Sequence, residues 1–232
     1  MRETVSLNPL CQDDARRERR RMAEKEKAGK KEKTEKTRKP AGRRSRCWGD
    51  VEGDLMREYH DREWGVPLHD DRKIFEFLVL EGMQAGLSWS LVLNKRENFR
   101  RAFRGFDPEK VARFTKRDVA RLLGDAGIIR NRLKILGAIN NAKRFLEVQK
   151  EFGTFDCYIW GFVGGKSVLT GRRSFANLPA RTPLSDRISE DLKARGFKFV
   201  GSTVVYSHMQ ATGMVNDHLV TCFRYGALAK MK

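Results

Sequence analysis

An apolar run, Ile74-Phe75-Glu76-Phe77-Leu78-Val79-Leu80, leads to Glu81. Its near-continuous hydrophobicity predicts a buried helix, with Asp70 or Asp71 as the N-cap. Upstream, Leu55 to Asp61 predicts one or two helical turns, broken by Gly65 and Pro67. Downstream the pattern is helix after helix. Ser88 opens a segment over Leu91 to Phe103, Asp107-Pro108 starts the next, and Thr115 caps another. From Arg130 to Gln149, Leu133, Ile135, Leu136, Ile139, Ala142, Phe145 and Leu146 recur at helical spacing. Phe155 to Val163 predicts a further helix, and Gly164 to Pro183 a loop with room for a brief strand at Ser167 to Thr170. Thr182 or Ser185 starts a helix through Lys193 that Gly196 closes. Ser202 to Thr212 follows, and Asn216 to Phe223 is expected to be the last helix. No β-alternation of any length and no internal repeat occurs. The expected fold is all-α, with eight to ten helices.

Charge adds a second layer. The 232 residues carry a net charge of +18. Residues 1–46 hold 17 Lys/Arg against 8 Asp/Glu and almost no aromatic residue, so they predict a basic arm that does not fold alone. A solvated tail or a localisation signal is the plainer reading of that arm. The remaining residues hold 31 Lys/Arg against 22 Asp/Glu, so the folded part is basic in its own right. We expect a helical domain over 47–226 and a short basic tail over 227–232. A polyanion, above all nucleic acid, is the expected partner. No apolar stretch of about eighteen residues suits a membrane span, and Met1 to Leu10 lacks the apolar core of a secretory signal. A cytoplasmic location is expected, with the four scattered cysteines outside any disulfide framework.

Three groups of residues invite chemistry. Glu81 sets a carboxylate against apolar surface, and Trp89 follows eight residues later. An acid beside a flat aromatic suits a pocket for a flat or cationic base. The ordinary alternative is a core helix whose glutamate caps or pairs with a neighbour. His218 and Cys222 stand four apart, a spacing that puts both on one face of a helix and makes half of a zinc site. Cys47 and His60 are available to complete it, although a buried histidine and an unrelated core cysteine are commoner. Gly196-Phe197-Lys198-Phe199-Val200-Gly201-Ser202-Thr203 joins two helices with glycines at both ends, as a phosphate-gripping hairpin or a plain corner would. Asp125 to Arg132 is a second such link.

Seven ordered stretches resemble the bacterial 3-methyladenine DNA glycosylase I family. They are Arg46-Cys47, Tyr59 to Pro67, Glu81 to Trp89, Lys95 to Asn98, Asp125 to Arg130, Arg195 to Gly201, and Met209 to Gly213 with Val215 to His218. Together they span about residues 46 to 224, and the arm lies outside. The resemblance implies a helix-hairpin-helix glycosylase fold and one structural zinc ion held by Cys47, His60, His218 and Cys222. It implies that Glu81 recognises the damaged base, with Tyr59 and Trp89 forming the pocket and Trp64 close by. Gly196, Lys198, Gly201 and Ser202 would meet the DNA backbone. The implied partner is alkylated double-stranded DNA and the implied product free 3-methyladenine, from a monomer without lyase activity, since Ser202 and Thr203 stand where lyases carry lysine. Two positions depart from the pattern, Trp48 directly after the first cysteine and His208 on the hairpin helix. Asp217 stands near the place where many relatives use an Asp, but it precedes a zinc ligand that it would orient, and it ranks below Glu81. A zinc-stapled DNA-binding protein without chemistry, or a small-molecule nucleoside hydrolase, are the rival readings.

Overall fold

A computed structural model describes residues 45–48, 53–176 and 178–231. The basic arm expected over 1–46 therefore lies outside the described residues, save Ser45 and Arg46. Among the described residues there are eleven α-helices, slightly more than expected. They are α1 (Asp54–Arg62), α2 (Asp71–Gln84), α3 (Trp89–Asn94), α4 (Arg96–Ala102), α5 (Pro108–Ala112), α6 (Lys116–Gly124), α7 (Arg132–Phe152), α8 (Phe155–Gly161), α9 (Pro183–Ala194), α10 (Ser202–Ala211) and α11 (Phe223–Leu228). None of them is long and apolar enough to cross a membrane.

Helix α2 is the axis. Every residue from Ile74 to Met83 is buried, because α7, α8 and α10 pack around it. A helix enclosed in this way needs apolar residues on all faces, which is why the run is continuous rather than striped. The main core joins Phe75, Phe145, Phe155, Tyr158, Ile188 and Met209. A second cluster collects Cys47, Tyr59, Trp64, Phe77, Leu93, Ala211 and Cys222. Local signals set most helix starts. The side chains of Asp70, Ser88, Asp107, Thr115 and Thr182 each accept a backbone N–H of the helix that follows, as their sequence positions suggest.

Three expectations are corrected. The segment from Leu91 to Phe103 is two helices, α3 and α4, which meet at Lys95. On α7, Leu133 and Leu136 face outward, at 70% and 41% exposure. The buried stripe instead follows Ile135, Ala138, Ile139, Ala142, Phe145 and Val148. Asn216 to Phe223 is not a helix. Val215–Asn216 forms a strand that pairs in parallel with Val168–Leu169, where a brief strand had room, and α11 starts only at Phe223. The mostly helical class holds with this two-stranded addition. Helix α11 runs to Leu228, which is buried.

The ends of the described chain are drawn together. Gly65 N–H donates to Gln210 O and Leu68 N–H to Thr212 O, each at 3.0 Å. Gly213 has φ +71°, and a Cβ there would collide with the backbone of Val66 and Pro67. Only glycine fits that crossing.

Candidate metal cluster and base pocket

Two adjacent residues of α1 serve two sites. Successive helical side chains point about 100° apart, so Tyr59 turns toward α2 and α3 while His60 turns toward the C-terminal turn. Cys47, His60, His218 and Cys222 are all buried, and their ligand atoms lie within 4.8 Å of one another. Cys47 Sγ is 3.2 Å from His218 Nδ1. Cys222 Sγ is 3.5 Å from both His218 Nδ1 and His60 Nε2. A tetrahedral ion with ordinary Zn–S and Zn–N bonds needs S···N edges of about 3.5 Å. The four residues fit such an ion.

The other ring nitrogens fix which atom each histidine presents. His60 Nδ1 meets Asp61 Oδ1 at 2.8 Å, and His218 Nε2 donates to Trp64 O at 2.9 Å. A carboxylate and a carbonyl behind the ligands are the usual orienting partners of metal-bound imidazole. Burial alone would raise the Asp61 pKa, but hydrogen bonds from Arg46 and His60 hold it below the ordinary value. The thiols are polarised against each other. Cys222 is pulled down, first by the Cys47 thiol and then by the histidines, whereas Cys47 is pushed up by Cys222 and by burial. Without a cation only one of two thiols this close ionises readily; a divalent ion accommodates both as thiolates. Leu219 N–H and Arg224 N–H point at the two sulfurs. His218 and Cys222 thus converge from a turn, with Cys222 as N-cap of α11, not from one helix face.

The second site lies on the Tyr59 side. Glu81 sits in the last turn of α2 with 4% exposure. No hydrogen bond or ion pair reaches its carboxyl among the described residues, and Oε2 is buried without a partner. Burial raises its pKa to about 8. The indole Nε1 of Trp89 is likewise buried without a partner. The Tyr59 ring lies 5.3 Å from that of Trp89 and tilted, and Phe77 stacks at 6.4 Å on the same indole. Tyr59 is fully enclosed, and its phenol is pushed well above its ordinary pKa by burial first and the Glu81 charge second. Beneath these rings Arg96 bridges Glu63 and Glu76, each at 2.5 Å, and lies 5.0 Å above the Phe77 ring. Trp64 belongs to the same cluster, but its rings meet Trp48, His60 and His218, on the metal side.

A turn separates the acid and the indole, each of which neighbours Tyr59. Ala85 (φ −45°, ψ 115°) and Gly86 (φ +77°) form a type II turn closed by Leu87 N–H to Gln84 O. The turn lets α3, capped by Ser88, lead Trp89 back onto Tyr59 and Phe77. Ala85 to Ser88 is exposed, Trp89 is half-buried, and Leu87 stands 41% exposed beside the site. Two surface cavities, of about 430 and 390 Å³, lie elsewhere, against Glu109 and Leu146 and against Val168 and Tyr206.

The hairpin residues occupy the link between α9 and α10. Gly196 has φ +85°, whereas Gly201 has an ordinary φ of −60°. The left-handed residue beside it is Phe199 (φ +56°), whose ring covers Gly137. Lys198 is exposed, and Ser202 Oγ is 2.8 Å from Ser185 Oγ. No side chain caps α10, so its first-turn N–H groups are open to another acceptor. Asp217 is fully enclosed and accepts from Tyr206, Gln210, Thr170 and Arg172. It is a structural anchor of the strand-bearing segment. His208 is buried with a pKa lowered to about 4, so it is neutral at pH 7. The ring partners Phe77 and Trp48 were not legible as site residues, since each reads as ordinary packing.

Residues 48–225 match the family model described as methyladenine glycosylase. DNA-3-methyladenine glycosylase 1 of Escherichia coli is 49% identical over 180 residues, which is 78% of this chain and 96% of that one. DNA-3-methyladenine glycosylase of Haemophilus influenzae is 42% identical over 178 residues, 77% of this chain and 96% of its own length. The solved 3-methyladenine DNA glycosylase I of Staphylococcus aureus, a structure of 3-methyladenine recognition, superposes with a TM-score of 0.75 at 34% identity. That match covers 77% of this chain and 95% of the other.

Proposed function

Because the chain belongs to the methyladenine glycosylase family, we propose that it is a DNA repair enzyme. In this reading it hydrolyses the N-glycosidic bond of 3-methyladenine in alkylated double-stranded DNA. The products are the free base and an abasic site.

The observation that carries this reading is the buried, partnerless carboxyl of Glu81 beside the Tyr59 and Trp89 rings. A carboxylate left in apolar surroundings costs several kcal/mol unless a partner arrives. N3-methylation makes adenine cationic and weakens its bond to the sugar. A flipped-out methylated base supplies both the charge and the N–H donors that Glu81 lacks. Neutral adenine has the same amino N–H donors but no charge, so the same acid discriminates by charge. The ring faces add cation–π attraction. Since the leaving base is already charged, a strong general acid is unnecessary, and water is the nucleophile. Entry runs past Trp89 and the exposed Ala85–Ser88 turn, which must shift to admit a purine.

The α9–α10 link serves as the helix-hairpin-helix element. Gly196, Lys198, Gly201 and Ser202 lie along the DNA backbone, and the uncapped N-terminus of α10 takes a phosphate. Ser202 and Thr203 stand in the place of a Schiff-base lysine, so strand cleavage is absent. Cys47, His60, His218 and Cys222 hold one zinc ion, whose contribution is structural because all four positions come from protein. It fixes α1, and through it Tyr59, against the C-terminal turn. The protein acts as a monomer, and residues 1–46 add non-specific phosphate affinity.

Chromatography of bases freed from methylated DNA, with and without chelation of the metal, tests the reading. We expect 3-methyladenine from the metal-loaded protein and no nicked strands. Binding to DNA without any freed base would leave a zinc-stapled DNA-binding protein instead.

A further inference from the structure

Lys134 looks like a surface lysine in sequence, between Leu133 and Ile135 in the first turn of α7. In the structure Leu133 and Leu136 are outside and Lys134 is inside, at 8% exposure. Its ammonium donates to Met83 O at 2.8 Å and to Ala85 O at 2.6 Å. Among the described residues it forms no ion pair. Burial lowers its pKa, so the position is costly for a cation unless those carbonyls hold it.

The two carbonyls are informative. Met83 lies in the last turn of α2, where the helix leaves carbonyls unsatisfied, and Ala85 is the first central residue of the turn that follows. The turn bond uses Gln84 O, so the oxygens on either side of it go to Lys134. No left-handed glycine caps α2 directly, since Ala85 has φ −45°. A positive charge at a helix C-terminus also suits the helix dipole. Two residues before this pair lies Glu81, and four residues after it lies Trp89. Two turns further along α7, Asn141 holds the hairpin through both the N–H and the C=O of Lys198, at 2.7 and 2.8 Å. One helix therefore grips the acid-bearing turn and the hairpin at separate points.

We propose that Lys134 is a positioning residue for base recognition: its bonds to Met83 O and Ala85 O fix the turn that holds Glu81 and Trp89 on one pocket. This inference rests on the glycosylase reading above. Lys134 does not touch the base, and its effect passes through the backbone. The hairpin has its own anchor at Asn141, so loss of Lys134 impairs excision without weakening the grip on undamaged DNA.

The test compares K134M and K134R with the parent protein. Excision from methylated DNA is split into kcat and KM, and affinity for an undamaged duplex is measured alongside. Methionine keeps the length and removes the donors. Arginine keeps the charge, but its wider planar fork displaces the two carbonyls. For K134M we expect kcat to fall on the order of 10²-fold, as for a misplaced reacting group. For K134R the loss is about tenfold, and undamaged-duplex affinity stays within about twofold in both. Should K134M fail to fold, K134R alone is read by the same criteria. Unchanged kcat in a folded variant overturns the proposal. So does a K134M loss of activity matched by an equal loss of undamaged-duplex affinity, which would make Lys134 a phosphate contact. A parent protein that frees no 3-methyladenine overturns the functional reading and this inference with it. A competent parent with unimpaired variants overturns this inference alone.

Discussion

Glu81 Oε2 and Trp89 Nε1, an acceptor and a donor eight residues apart, are both buried and both without a hydrogen-bond partner among the described residues. They do not satisfy each other, although one turn brings both to the same site. Buried polar atoms are nearly always paired. Two exceptions at one place mark a site arranged for a visitor that carries both donors and acceptors, as a purine edge does.

The pH dependence of stability follows from Glu81. Its folded pKa of about 8 exceeds the ordinary 4.5. Between those values the native state binds a proton that the unfolded chain does not, so stability falls as pH rises through that window. The contribution reaches at most about 5 kcal/mol. We expect Glu81→Gln to be about as stable as the parent near pH 4.5 and clearly more stable above pH 8. Urea midpoints across that range check the sign; parallel curves for the two proteins would contradict it.

Trp89 offers a face and a donor, and two substitutions separate them. Trp89→Ala removes both and should lower kcat/KM on methylated DNA by about 10- to 100-fold, the worth of one base–aromatic stack. Trp89→Phe keeps a ring face and should lose less, under about tenfold. If the two variants are equally impaired, the indole N–H rather than the ring face is what the base uses.

For the metal cluster, we expect elemental analysis to find about one zinc per chain. Cys222→Ser should lower that content and reduce the melting temperature by roughly 5–10 °C, which corresponds to about 3 kcal/mol for a chain of this size. The kcat of the protein that remains folded should change little. A kcat that collapses while the fold persists would mean that the ion has a part in the chemistry.

The arm makes a separate prediction from charge alone. Removing residues 1–44 takes away much of the positive charge that residues 1–46 carry. The slope of log affinity for undamaged DNA against log salt should become shallower, with excision from saturating substrate unchanged. An unaltered slope would leave the arm without a part in DNA binding.

Short-range signals were legible in the sequence and long-range ones were not. Asp70, Ser88, Thr115 and Thr182 cap helices because a side chain reaches its own backbone three residues on, whatever the rest of the chain does. The spacing of His218 and Cys222 was read correctly as a pair but on the wrong element. Four residues of turn bring two side chains together as well as one helical turn does, and pairing of Val215–Asn216 with a distant strand took that segment out of the helix. Leu133, expected inward, is exposed, and Lys134 is buried in its stead because carbonyls at the end of α2 accept its ammonium. No local pattern encodes those carbonyls. Gly201 read as the residue that frees the hairpin backbone, yet Phe199 takes the left-handed conformation there, since its ring rests on Gly137. The acid at Glu81 is legible because it ends an apolar run, whereas Glu76 within the same run finds Arg96 and Arg100 only through the fold.

The most direct test of the central claim is the rate at which Glu81→Gln frees 3-methyladenine from methylated duplex DNA, measured by chromatography beside the parent. Glutamine keeps the shape of the side chain and removes its charge. The account predicts a parent that excises the base and a folded variant slowed on the order of 10²-fold, the scale of one lost electrostatic contact in a dry site. A folded variant that frees the base as fast as the parent would contradict it.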